Sequence, residues 1–165
     1  MLLCLLKLGI AEVMLQIGLA HRDDVESWLR LAEDFVPLFG PMPGFEAVLV
    51  RKIAQQQAFS ARTDIENAGF IGGVLIGGSE SKYAIRWLAV SSEFRRLGVG
   101  KKLVEAALSS VPPDTVVHVD TFVAGSPGAE AAKRLYIGCG FIPMEVWKEG
   151  EVVRQRYVRR PLTRL

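Results

Sequence analysis

Residues 87–108, WLAVSSEFRRLGVGKKLVEAAL, decide how the rest of the chain is read. An apolar run ends at Val90, and a short polar loop leads to Arg95-Arg96-Leu97-Gly98-Val99-Gly100-Lys101-Lys102. Apolar residues then recur at 103, 104, 107, 108 and 111, a helical spacing, so the pattern is strand, glycine turn, helix. Three physical effects coincide where that helix begins. Its first N–H groups have no intrahelical partner and point outward. The helix dipole puts partial positive charge at the same end. Gly98 and Gly100 let a bulky anion approach the backbone, with Arg95, Arg96, Lys101 and Lys102 around it. Such a turn offers a phosphate cradle. The plainer alternative is a glycine turn ringed by solvated basic residues. Two phosphate motifs are excluded by position. A nucleoside triphosphate loop needs glycine where Arg95 stands and Ser or Thr where Lys102 stands; a dinucleotide fingerprint needs glycine at Leu103.

Upstream of the turn, residues 83–90 (YAIRWLAV) form the clearest strand. Residues 58–62 and 69–78 flank a polar turn at 63–67 and read as a hairpin. Glycines at 72, 73, 77 and 78 would permit a bulge or a close backbone approach. Phe45, Val48, Leu49 and Ile53 share one face of an expected helix, and residues 37–44 (PLFGPMPG) are a loop by composition. Before that loop, Val25, Trp28, Leu29, Ala32, Phe35 and Val36 mark a helix, with Asp23 as its cap and Glu26 completing a capping box. Residues 14–20 read as a strand. Downstream, Pro112 and Pro113 stop the helix that follows the turn, and residues 115–123 form another buried strand. Ser126 and Pro127 would open a further helix, ended by a glycine cap at Gly140. Residues 141–148 and 152–159 make a final strand pair turning at Glu149-Gly150. The order implies one mixed α/β layered fold with helices on both faces of a sheet.

A chain of 165 residues, half of them hydrophobic and 23% charged, suits one folded domain with a sizeable core. Residues 14–165 are expected to form it, with 1–13 as an N-terminal extension or an extra strand. Two histidines and two cysteines are too few for a metal cluster, and Cys4 and Cys139 lack Cys-x-x-Cys spacing, so no metal is expected. Both thiols are expected to be free in a reducing cytosol. A net charge of +2 is too small to imply nucleic acid. The apolar residues 1–10 lack a leading basic region, are interrupted by Lys7 and meet no small-residue cleavage site before Glu12. No uncharged apolar run reaches about 18 residues. A cytoplasmic protein without a membrane partner is expected.

The glycine turn does not stand alone. Arg95-x-x-Gly98-x-Gly100 after an apolar strand resembles the pyrophosphate-binding motif of the GNAT N-acyltransferase superfamily. The next helix carries Ala132-x-x-Leu135-Tyr136-x-x-x-Gly140-Phe141, similar to the family's second signature. Order, spacing and element type agree from about Met14 to Pro161. One position departs: where the family often has Asn, seven residues before the helical tyrosine, this chain has Ala129.

The resemblance implies a mostly antiparallel mixed sheet whose central pair, strands 83–90 and 116–123, runs parallel and splays apart. It implies acetyl-CoA in the gap, its pantetheine arm on the backbone of Leu88, Ala89 and Val90. The pyrophosphate would rest on the N–H groups of Arg95, Arg96, Leu97, Gly98, Val99, Gly100 and Lys101. The reaction implied is acetyl transfer to a primary amine, small-molecule or peptide, by direct attack in a ternary complex. The Val90 N–H would hold the oxyanion and Tyr136 would protonate the leaving thiolate as general acid. For the base, Asp120 and His118 share a strand face, Glu93 follows the cofactor strand, and a water chain would also serve. Residues 37–44 and 147–150 would line the acceptor side. A catalytically silent acyl-CoA sensor is the alternative function, and the chain is expected as a monomer or homodimer.

Overall fold

The computed structural model describes residues 2–8, 11–64 and 69–161. Strands β1 (Leu2–Leu8) and β2 (Ala11–Leu19) pair antiparallel, Leu8 opposite Ala11 and Leu2 opposite Ile17. Helices α1 (Val25–Asp34), α2 (Val36–Phe39) and α3 (Phe45–Ala54) follow, then β3 (Ala58–Thr63), β4 (Phe70–Ser79) and β5 (Lys82–Val90). Helix α4 (Val99–Ser109), β6 (Val116–Thr121), α5 (Ala129–Gly138), β7 (Ile142–Glu149) and β8 (Val152–Arg159) complete the chain. The eight strands form one sheet in the order β1-β2-β3-β4-β5-β6-β8-β7, antiparallel throughout except at β5–β6. The expected hairpin pairs as read, Ala58 opposite Leu75; most of its turn lies outside the described residues.

Two apolar cores flank the sheet. On one face Val99, Leu103, Val104 and Ala107 of α4 and Tyr136 of α5 pack with Ile17, Val74, Ile76, Val117 and Val119. On the other, Trp28, Leu31 and Ala32 of α1 and Leu49 of α3 pack with Leu75, Trp87 and Ala89. Helices on both faces bury both sides of the central strands. This is why residues 71–77 are continuously apolar or glycine rather than alternating.

Glycine lets α1 sit close. A Cβ on Gly73 would meet the Trp28 ring at 2.4 Å. The Trp28 indole donates to Ser60 Oγ (3.0 Å), and Ser60 donates to Asp24 Oδ2 (3.1 Å). Asp24 also pairs with Arg62 and accepts from the His21 N–H at 2.8 Å. Asp24, not Asp23, therefore ties down the start of α1, as a buried carboxylate rather than an exposed cap.

Two further boundaries differ from the sequence reading. Pro37 does not open a loop: its missing N–H is tolerated in the first turn of α2, which Gly40 ends with φ +75°. The last helix begins at Ala129 behind Gly128 (φ +84°), because Ser126 bonds back to the Val123 carbonyl in a turn at 2.5 Å. Its C-terminus matches expectation. Phe141 N–H reaches Tyr136 O and Gly140 N–H reaches Ile137 O, both at 3.0 Å, with Gly140 at φ +85°.

Candidate active site

The site arises where β5 and β6 stop pairing. Lys82 to Ile85 lie beside Val116 to Val119, and no pairing continues beyond. The cause is local. Against β4, Leu75 faces Trp87 while Ile76 faces Ile85, so Arg86 is an extra residue, a β-bulge. The bulge reverses the alternation. Tyr83 and Ile85 face the α4 side, but so do Leu88 and Val90, whereas Trp87 and Ala89 face α1. The strand bends away and a cavity of about 700 Å³ opens through the sheet.

The edge of β5 left bare by this parting is polar. Ser91 N–H bonds to Ile71 O at 2.7 Å, and hydrogen-bonded pairs alternate along an antiparallel ladder. By that alternation Ala89 exchanges bonds with Gly73, while the N–H and C=O groups of Leu88 and Val90 turn toward the gap. The Val90 carbonyl accepts from Arg95 Nε at 3.3 Å, and the Arg95 guanidinium lies 5.1 Å from the Phe35 ring centre.

At one end of the cavity stands the start of α4. Gly98 takes φ +83° as the N-cap and Arg96 takes φ +63°. Lys102 N–H is the first to bond back, to Gly98 O at 3.1 Å, so the preceding amides lack helical partners. Gly98, Val99, Gly100, Arg95, Arg96 and Lys101 line the cavity. Leu97 packs into the core instead, and Lys102 pairs with Glu105 at 3.5 Å. Arg134 of α5, which the sequence reading did not select, adds a cation to the same wall.

Tyr136 lines the cavity from α5, buried against Phe141 and Tyr157 with ring centres 5.4 and 6.0 Å away. Burial, and secondarily Cys139, push its phenol well above the ordinary tyrosine range. Ala129 is buried and does not line the cavity.

Of the base candidates only Asp120 reaches the wall; His118 and Glu93 do not. Arg156 holds both Asp120 oxygens, Nε to Oδ1 and Nη2 to Oδ2, each at 2.8 Å. Burial alone would raise the carboxyl. Arg156 outweighs it, helped by the Trp147 indole and His118, and the carboxyl lies below its usual range. His118 is pushed down, by burial first and by Arg156.

The α1 side of the cavity is aromatic. Phe39 stacks on Phe122 at 5.7 Å and meets Trp87 edge-on at 6.3 Å, with Phe35, Leu38 and Met42 beside them. Residues 147–150, expected on this side, do not line it; Arg154 of β8 does, as does Arg86 from the bulge. The bulge and both arginines escaped the sequence reading. An extra residue in an apolar strand leaves no mark on its composition.

Comparison with known proteins agrees with this geometry. Residues 54–143 match the family profile described as an acetyltransferase (GNAT) domain. The chain belongs to the GNAT acetyltransferase family. That match spans β3 to the start of β7 and so includes the glycine turn, the gap and Tyr136. Among curated proteins no sequence matches. Solved structures share the GNAT fold over most of the chain. The NatC complex bound to Gag peptide and CoA is 22% identical, with a TM-score of 0.74, covering 90% of this chain and 99% of that one. Ard1 from Thermoplasma volcanium is 19% identical, with a TM-score of 0.71 and coverages of 90% and 98%. A GNAT-family acetyltransferase from Streptococcus agalactiae is 12% identical, with a TM-score of 0.69 and coverages of 90% and 96%.

Proposed function

We propose that the chain transfers an acetyl group from acetyl-CoA to a primary amine by direct attack in a ternary complex. The observation that carries this reading is the gap itself: a bare strand edge at Leu88 and Val90 leading to the unpartnered amides at the start of α4. An extended pantetheine arm can add to that edge as a strand would. The pyrophosphate then meets N–H groups, a helix dipole and the side chains of Arg95, Arg96, Lys101 and Arg134. Arg95 must first release the Val90 carbonyl, and an incoming phosphate is a better partner for it. CoA bound in the structural neighbour NatC supports this class of cofactor.

In the reaction the amine lone pair attacks the thioester carbon. The Val90 N–H is turned toward the gap to receive the developing oxyanion. The departing thiolate needs a donor, and Tyr136, kept protonated by burial, supplies it; the acylated nitrogen sheds its extra proton to water, which returns one to the phenolate, leaving amide and free thiol. A specific observation favours the second reading, a silent acyl-CoA sensor: the one carboxylate in the described wall is already neutralised by Arg156.

Titration calorimetry with acetyl-CoA, followed by thiol release with an amine mixture, tests both. Gly100→Glu is the control, because a Cβ fits there 3.6 Å from Leu135 and the added carboxylate fills the cradle. Binding lost in a folded Gly100→Glu variant, with amine-dependent thiol release by the parent, is the expected result. Binding without release under any amine leaves the sensor. No binding by the folded parent overturns both.

A further inference from the structure

The acceptor side of the cavity selects among amines, and three independent features restrict it. The first is charge. Arg86 and Arg154 line that side, and the only carboxylate in the described wall, Asp120, is spent on Arg156. A polyamine or a lysine-rich segment would bring further positive charge against two arginines with no free anion to receive it.

The second is proton chemistry. Attack requires a neutral amine. No histidine and no uncompensated carboxylate faces the described cavity: β5 contributes Arg86, the turn into α4 Arg95, Arg96 and Lys101, β6 Asp120, β8 Arg154, α5 Arg134 and Tyr136, and α1 and α2 only apolar groups. An alkylamine of pKa about 10.4 is neutral in about one molecule per thousand at pH 7.5, whereas an α-amine of pKa about 7.8 is neutral in about a third. A site with so little basic assistance suits an amine that loses its proton unaided.

The third is shape. Phe35, Phe39, Trp87 and Phe122, with Leu38 and Met42, present one continuous apolar wall on the α1 side. It borders the gap that the Arg86 bulge opens beside β5.

We infer that the acceptor is the α-amine of a peptide whose first residue carries a large apolar side chain, that side chain filling the Phe39–Trp87–Phe122 wall. The inference rests on the acetyl-transfer reading above and names its substrate. A free apolar amino acid would offer the same side chain and a carboxylate for the two arginines, but its more basic amine is neutral in a smaller fraction at pH 7.5, and the test below separates the two.

Thiol release from acetyl-CoA is measured with a set of short peptides identical except at the first residue, Phe, Leu, Met, Ser or Asp. Spermidine, free phenylalanine and an Nα-blocked lysine peptide complete the set. The Phe, Leu or Met peptides are expected to exceed the Ser and Asp peptides in kcat/KM by about tenfold or more. For them kcat/KM should rise with an apparent pKa near 8, that of the acceptor amine. The Phe39→Ala variant, with acetyl-CoA affinity unchanged by calorimetry, should lose most of that preference through KM. Faster turnover of spermidine, of the blocked lysine peptide or of free phenylalanine overturns the inference and leaves acetyl transfer standing. So does equal use of the Ser and Phe peptides. Acetyl-CoA binding without turnover of any member overturns the transfer reading and this inference with it.

Discussion

Tyr136 belongs to core and cavity at once: its ring packs against Phe141 and Tyr157, and the residue lines the cavity wall. Burial that keeps the phenol protonated also makes it a reluctant acid, so in the proposed transfer it would donate only to a thiolate already forming. Tyr136→Phe removes the donor and keeps the ring. The expected outcome is a fall in kcat of about 10²- to 10³-fold with acetyl-CoA affinity unchanged, read by steady-state kinetics and calorimetry. Because its folded pKa lies above the ordinary value of about 10, no loss of activity below pH 10 should trace to Tyr136. This residue was legible in the sequence because it sits in a helical motif with fixed spacing to Gly140. Asp24 was not. A carboxylate near a helix start reads as an exposed cap, and only the fold brings Ser60 and Arg62 to it from 36 and 38 residues away. Ser60→Ala leaves the Trp28 indole unpaired in the core and removes one of the two donors to Asp24 Oδ2. Stability should fall by about 2 kcal/mol in urea unfolding.

Two elements, the glycine turn and the bulged strand, make the cavity, and they differ in how far sequence reveals them. The turn announces itself, because glycine at a positive φ and unpartnered helix amides follow directly from residue type and position. Gly98 has nothing within 4 Å of an added Cβ but sits at φ +83°. Gly98→Ala should therefore lower stability through backbone strain alone, by about 1 kcal/mol. It should weaken acetyl-CoA binding as well, since relaxing that angle turns the first amides of α4 away from the gap; thermal unfolding and calorimetry separate the two effects. The strand was recognised, but not its extra residue. Apart from Arg86 itself residues 83–90 are apolar on both faces, and a lone charge does not tell a bulge from an ordinary outward-facing strand position. For the same reason the acceptor wall was only half read. Phe39 and Met42 were expected there, while Trp147 was placed there by the family resemblance and its cross-strand partner Arg154 lines the cavity instead.

Across the whole molecule, ionisation brackets the pH range of the fold. Asp120 has a folded pKa below its unfolded value near 3.9, so its contribution is complete above that value and is lost as pH falls through the folded one. Tyr136 behaves oppositely. Its stabilisation is complete below about pH 10 and is lost as pH rises beyond it. Asp120→Asn should flatten the acid limb of a stability–pH curve and Tyr136→Phe the alkaline limb, each leaving the other limb in place. The sheet that carries these groups is two panels, β1 to β5 and β6, β8 and β7, joined along the line where Lys82–Ile85 meets Val116–Val119. Every other seam in the sheet is antiparallel and pairs at least five residues, against four along this line. Mechanically the molecule is a wedge with a short weld at its apex, bridged further up by the packing of α4 on α5 and of Phe39 between Trp87 and Phe122. A cofactor lying in the notch would act as a cross-brace, and under load an empty molecule would tear along that weld before any other.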